Sequence, residues 1–379
     1  MTINLHDNDL HLRFAPLTLT RPLGKVRMGI FTNDERWKIY LPKAEIGFVT
    51  QEYLAGRFPG FEKADLTVNA QLIPNEDVIA ALLALSDGEM LFMDELWLGS
   101  NGLGEGARVY YTGEKPVSIS EKWHLFQKNG QVLEQDFHLL TSGRKSQPFS
   151  KTNTLIGDVS KIFIEEGAKV EATVINVTNG PVYIGKHAEV MEGSLIRGPF
   201  ALCEHASLKM GTKAYGASSI GPHCKVGGEV NNVVFFGYSN KGHDGFLGNA
   251  VIGEWCNLGA DTNASNLKNT YGNIDVFSYE TNDFISTNEQ FIGLCMADHS
   301  KSGINTMFNT GTVVGVSCNV FGAEFPPKHI PSFSWGGASG LKTYQLNQAI
   351  QHANNMMNRR GLALEKEDLS IFHYLFGKK

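Results

Sequence analysis

From Ile184 an aliphatic or small apolar residue returns every sixth position: Ile184, Val190, Ile196, Leu202, Leu208, Ala214, Ile220 and Val226. Four residues after each comes a second, mostly small one: Ala188, Ser194, Phe200, Ala206, Thr212, Ser218, Cys224 and Val230. That second slot lies two before the next aliphatic, so on a short strand both side chains face the same way. An amphipathic helix would repeat at 3.6 residues instead. A strict six-residue period, with glycine and polar residues between the apolar pairs, is the signature of a parallel β-helix whose coils stack over one continuous core.

The rhythm slips in places that bear on function. Val226 and Phe246 are 20 apart, three hexapeptides plus two residues, and the pattern resumes at Phe246, Ile252, Leu258 and Ala264. The expectation is a segment extruded just before His243. A second break covers residues 266–280, with recovery at Ile285 and Phe291, a one-residue slip around Asp298-His299-Ser300-Lys301, and continuation at Ile304, Thr310 and Val316. Upstream, Ile164 and Val170 read as a first coil interrupted near Asn179-Gly180. The solenoid domain is therefore expected over residues 155–330, its coils ending near Phe325 where PPKHIP stops them.

The flanks keep different time. Residues 1–150 mix short β-like runs at 46–49, 66–68 and 109–111 with a helix at 78–85 that Asn75 can cap, as in a separate α/β domain. In residues 341–379, Leu346, Ala349, Ile350, Ala353, Met356 and Met357 follow helical spacing; Gly361 is a stop, and a second helix covers 366–376.

Composition narrows the function. With 33 basic and 39 acidic residues the net charge is −6, so neither nucleic acid nor an anionic membrane is the expected partner. The start, MTINLHDNDLHLRF, has no basic stretch followed by an apolar run, and no stretch of about 18 apolar residues occurs; a cytoplasmic protein is expected. The five cysteines, Cys203, Cys224, Cys256, Cys295 and Cys318, are widely spaced without a CxxC pair, so they read as buried thiols and no metal site is expected.

One stretch carries more than periodicity. Lys241-Gly242-His243, Phe246-Leu247-Gly248, Ile252-Gly253, Asn257-Leu258-Gly259-Ala260, Thr262 and Asn266 align without a gap over about 27 residues. They resemble the acetyltransferase half of the GlmU-like family, bifunctional N-acetylglucosamine-1-phosphate uridyltransferases and glucosamine-1-phosphate acetyltransferases. The resemblance implies a left-handed parallel β-helix, an exception to the usual crossover hand. It also implies a homotrimer with acetyl-CoA as co-substrate, a sugar phosphate or nucleotide sugar as acceptor, and His243 as general base. An imidazole with an ordinary pKa near 6.5 suits that role at neutral pH. By position Asn257 would contact the sugar, and Ala260 and Asn266 the acetyl-CoA side. Phe246 stands where the family has a tyrosine, and asparagine stands near Asn231 where it has a lysine; Lys241, Lys225 and Lys268 remain for a phosphate. His299 is the competing base, or a second wall of the acyl-donor pocket. The bland reading is that asparagines serve solenoid turns and an exposed histidine is solvated.

The first domain resembles sugar nucleotidyltransferases. APLTLTRP, residues 15–22, matches their PLTxxRP element, with Arg21 a candidate phosphate ligand, and residues 66–85 align with their strand, GD turn and helix. The Gly-rich phosphate loop is replaced by HDNDLHLRF, and Gln71 falls where the family's aspartate would hold Mg²⁺. Mg²⁺ is expected only if this domain transfers nucleotides. Three functions follow: acyl transfer in the solenoid, nucleotidyl transfer in the first domain, or a non-catalytic sugar-nucleotide scaffold.

Overall fold

The computed structural model describes residues 1–102 and 104–378. The chain divides into two compact units, residues 1–26 with 31–122, and residues 27–30 with 123 onward.

The first unit is a mixed sheet of six strands. Thr2–His6 lies between Glu45–Val49 and Leu66–Asn69, parallel to both. Leu96–Asn101 pairs antiparallel with Leu66–Asn69 and with Met90–Met93, and Arg108–Tyr110 closes the order parallel to Met90–Met93. Buried Ile3, Leu5 and Val68 alternate with polar neighbours, as a sheet with one covered face requires. Two helices start on caps written in the sequence. Thr32 and Glu35 form a capping box ahead of Asn33–Tyr40, and the Asn75 side chain accepts from Val78 N at 2.8 Å ahead of Glu76–Leu83.

The second unit is a β-solenoid with three faces. On face I, parallel pairing runs from Ile162–Ile164 through Val182–Ile184, Phe200–Leu202 and Ser218–Ile220 to His329–Ile330. Face II runs from Lys169–Val170 through Lys225–Val226, Asn240–Lys241, Asn257–Leu258 and Lys301–Ser302 to Ser334–Gly337. Face III begins at Thr154–Ile156 and ends at Met307–Phe308. The nine-residue strands Glu229–Gly237 and Phe246–Glu254 bridge faces III and I. All eight aliphatic positions of the six-residue rhythm, and the eight small slots, are buried in one core.

Several details of register differ from the sequence reading. Nothing is extruded before His243. The coil from Val226 to the next inward position on face II is short, because that position is Lys241, which pairs with Val226. Leu247, not Phe246, fills the following inward slot. Residues 265–293 form an insertion containing the hairpin Asp275–Ser278 and Asp283–Ser286, so Ile285 belongs to the hairpin and Phe291 is exposed. The rhythm recovers at Leu294 and Met296. It does not slip at His299, because the inward slot after Met296 is Ser302; Ile304 stands 71% exposed on a turn. PPKHIP does not stop the solenoid either. His329–Ile330 pairs with Val313–Val314, and Ser334–Gly337 follows on face II before an antiparallel return at Gly340–Thr343.

Helix Asn129–Thr141 packs on the solenoid through satisfied polar groups. Asn129 donates to Ala217 O at 3.0 Å and accepts from Ser219 Oγ at 3.1 Å and Gly29 N at 2.8 Å. Asp136 accepts from Ile30 N at 2.8 Å, so the segment 27–30 is tied to this unit. Helices Leu346–Met357 and Lys366–Gly377 complete it, the first followed by the 3-10 turn Asn358–Arg360 that ends at Gly361 with φ 70°.

Candidate functional site

The turn that carries His243 is shaped by a lysine in a hydrophobic slot. One coil earlier, face II passes to face III through Gly227-Gly228, with Val226 and Val230 four residues apart instead of six. Lys241, 1% exposed, runs into the space left by that short corner. Its Nζ donates to Gly227 O at 2.9 Å and to His243 O at 3.0 Å. A Cβ on Gly228, whose φ is +71°, would lie 2.9 Å from Nζ and 2.8 Å from Gly245 O, so glycine is required there. Burial pushes the Lys241 ammonium down to about 8, against the opposing pull of Asp244 and Asp261. The backbone of His243 is thus clamped from inside, while its imidazole is exposed and makes no hydrogen bond among the described residues.

Other candidates gather on the same and the next coil. Ala260 takes the position after Leu258 that His243 takes after Lys241, so the two share one corner a coil apart; the intervening link is Asp261 N to Asp244 O at 3.0 Å. Gly242, Gly259 and Gly303 hold the adjoining slot on successive coils and put no side chain there. Phe246 N–H donates to Asn263 Oδ1 at 2.7 Å. A Cβ on Gly248 would meet both the Phe246 ring and Asn266 Nδ2 at 2.6 Å, so ring and amide converge over a bare backbone. Asn266 Nδ2 also donates to Asn249 Oδ1 at 2.7 Å. Asn257 is half-buried on face II, between Asn240 and Lys301 in register.

The remaining candidates lie elsewhere. Lys241 points into the coil instead of toward solvent. His299 occupies the opposite corner, between faces I and II, where its buried ring stacks on Trp255 at 6.4 Å and meets the edge of Phe372 at 5.3 Å. Lys268 belongs to the insertion, with Nζ 3.8 Å from Asp275 and hydrogen-bonded to Asn273 O. Arg21 is buried in the first unit.

His299 ends a column that the sequence reading missed. His187, His205, His223, Tyr238, Trp255 and His299 fill equivalent corners with φ between 54° and 60°. Successive ring centroids stand 5.1, 4.9, 4.7, 4.3 and 6.4 Å apart, nearly parallel. The left-handed corner strains any side chain, and stacking at about one inter-strand spacing offsets it. The signal was available in the 18-residue spacing of His187, His205 and His223.

In the first unit, Asn4, His6, Thr67, Trp97 and Ser100 line a cavity of about 500 Å³ on one sheet face. The loop standing in for the phosphate-binding glycines is tied to neighbouring segments through the Asp7 carboxylate. Asp7 accepts from Leu23 N at 2.8 Å and Thr50 Oγ1 at 2.5 Å, and Asn8 and Asp9 hold left-handed φ. Gln71 is buried, its N–H donating to Asn69 Oδ1 at 3.1 Å. These donors do not suit Mg²⁺, which needs carboxylate oxygens free to bind, and no group of three His, Cys, Asp or Glu that could hold a metal occurs among the described residues. No helix among the described residues is long and apolar enough to cross a membrane.

Comparison with known proteins gives two kinds of likeness. A UDP-N-acetylglucosamine acyltransferase from Arabidopsis aligns at 12% identity and a TM-score of 0.26, over 57% of this chain and 75% of that one. The UDP-N-acetylglucosamine acyltransferase of Campylobacter jejuni aligns at 9% identity and 0.28, over 59% and 94%. No curated protein matches. Residues 3–145 match the family described as sugar nucleotidyl transferase, which makes the first part of this chain similar to that family.

Proposed function

We propose that the solenoid transfers an acyl group, acetyl in the simplest case, from acyl-CoA to a sugar phosphate or nucleotide sugar, with His243 as general base. The observation that carries this reading is the exposed imidazole on a turn fixed by a buried lysine. A base held in place while its ring stays free is what proton abstraction from an incoming amine or hydroxyl requires. Gly242, Gly259 and Ala260 leave the adjoining corner low enough for the pantetheine arm to lie along it. Phe246 and Asn266 over Gly248 offer an apolar face and an amide for the acceptor. Of the two candidate bases, His243 is preferred because His299 is only 6% exposed, with its ring stacked on Trp255 and in edge contact with Phe372. A homotrimer would place a neighbouring solenoid across this corner and complete the groove.

A screen of thiol release from acetyl-CoA and longer acyl-CoAs against amino-sugar phosphates and nucleotide sugars tests the reading. At least one pair is expected to turn over, and failure of every pair with folded protein would refute it.

The second reading, nucleotidyl transfer in the first unit, rests on the family match over residues 3–145. Pyrophosphate release from a nucleoside triphosphate and a sugar-1-phosphate would establish it. The Asp7 carboxylate, already bonded by Leu23 N and Thr50 Oγ1, and the neutral Gln71 favour a null result.

A further inference from the structure

Face II of the solenoid carries a second concavity, distinct from the His243 imidazole. Lys209 and Lys225 approach it from adjacent coils, and Arg359 and Arg360 from the 3-10 turn Asn358–Arg360 that ends helix Leu346–Met357. Together they line a cavity of about 300 Å³. In a chain of net charge −6, four cations converge here, and none of the four forms an ion pair among the described residues. Arg360 donates to His223 O at 3.2 Å, which leaves the rest of its fork for a ligand. Glu204 pairs with His205 at 3.5 Å instead. Mutual repulsion is evident at Lys225, whose ammonium is lowered by burial and then by Arg360, Lys209 and Arg359.

The floor says which part of a ligand fits. Tyr238 and Trp255 contribute to it, but their faces are covered by each other and by the column, so only edges are offered and no base can stack. Asn240 lies on the floor as well, and its side-chain NH2 is the group there that can donate to an anion. Clustered, unpaired cations with a polar, non-stacking floor recognise a compact multivalent anion, and arginine forks match phosphate oxygens in pairs.

We propose that this pocket is a binding site for the phosphate or diphosphate group of a phosphorylated small molecule. Gly242 lines it as well, so the rest of the ligand can continue past that glycine to the turn bearing His243. The same chemistry could come from the phosphates of a coenzyme A or from a sugar phosphate or diphosphate, and these sources can be told apart.

Titration calorimetry of the full chain with pyrophosphate is the test, alongside K209Q/K225Q and R359Q variants checked for folding by circular dichroism. Arg360 stays intact because it also bonds the backbone. Binding by the wild-type chain, at least tenfold weaker in each variant, restored in K225R and weakening with added salt, is the expected result. Absence of pyrophosphate binding, or equal affinity in folded variants, would overturn the proposal. Coenzyme A binding that weakens with dephospho-coenzyme A assigns the site to the donor; a glucosamine-1-phosphate affinity sensitive to K209Q/K225Q assigns it to the acceptor. His243→Ala is expected to leave pyrophosphate affinity unchanged, so the anion site and the acyl-transfer reading can fail separately.

Discussion

Lys241 shows how one residue can both hide a pattern and build a site. A search for aliphatics at every sixth position passes over it, because lysine belongs on surfaces by composition; in the fold its four methylenes fill the inward slot and its ammonium caps two carbonyls. Ser302 hides the rhythm in the same way, its hydroxyl meeting Thr262 Oγ1 at 2.9 Å inside the coil. The residues of the site were thus legible as a motif, but their orientation was not: the sequence pairs Lys241 with His243, and the fold turns one inward and the other out. The lysine has a measurable signature. With its folded pKa near 8 and an unfolded value near 10.5, the unfolded chain keeps a proton that the folded chain has lost between those values. Stability from this group therefore rises as pH increases from about 8 to 10.5. Relative to Lys241→Met, wild-type unfolding free energy should climb over that window, and a difference that stays flat with pH would contradict the buried charge.

At the scale of elements, the corners between faces I and II separate local preference from stacking. A histidine, tyrosine or tryptophan in the left-handed region is disfavoured by local sterics, by about 1–2 kcal/mol. The column offsets that strain by giving every ring a stacked neighbour, and the four inner rings one on each side. The helices were legible in advance because their caps and stops are local: Asn75 at the start of Glu76–Leu83 and Gly361 after Asn358–Arg360. The column was less legible, since its members are matched across coils 15 to 18 residues apart and the insertion at residues 265–293 later breaks the spacing before His299. Tyr238 at φ 54° permits a direct test. Both Tyr238→Ala and Tyr238→Gly lose the ring, but glycine also loses the strain. Chemical denaturation should find Tyr238→Gly the more stable of the two by about 1 kcal/mol, the reverse of the usual order in regular structure.

Across the whole molecule, a stretch matching sugar nucleotidyl transferases, residues 3–145, shares a chain with a β-solenoid. The six-residue clock carried the solenoid's existence and its core, and its limits were set by chemistry that a period cannot show. PPKHIP reads as a stop because proline removes a ladder donor, yet its His329 and Ile330 pair beyond the two prolines, at a face where pairing is with Val313–Val314 alone. The site's reaction type was suggested by one ungapped stretch, and the structure adds a reason for its fixed turn in Gly227-Gly228 and Lys241. The central claim is that His243 takes the proton during acyl transfer, and the rate of thiol release from acetyl-CoA by wild type and His243→Ala tests it most directly. With an acceptor that turns over, the variant should keep its fold and lose about 10²- to 10⁴-fold in kcat; a folded variant releasing thiol at the wild-type rate would contradict the account.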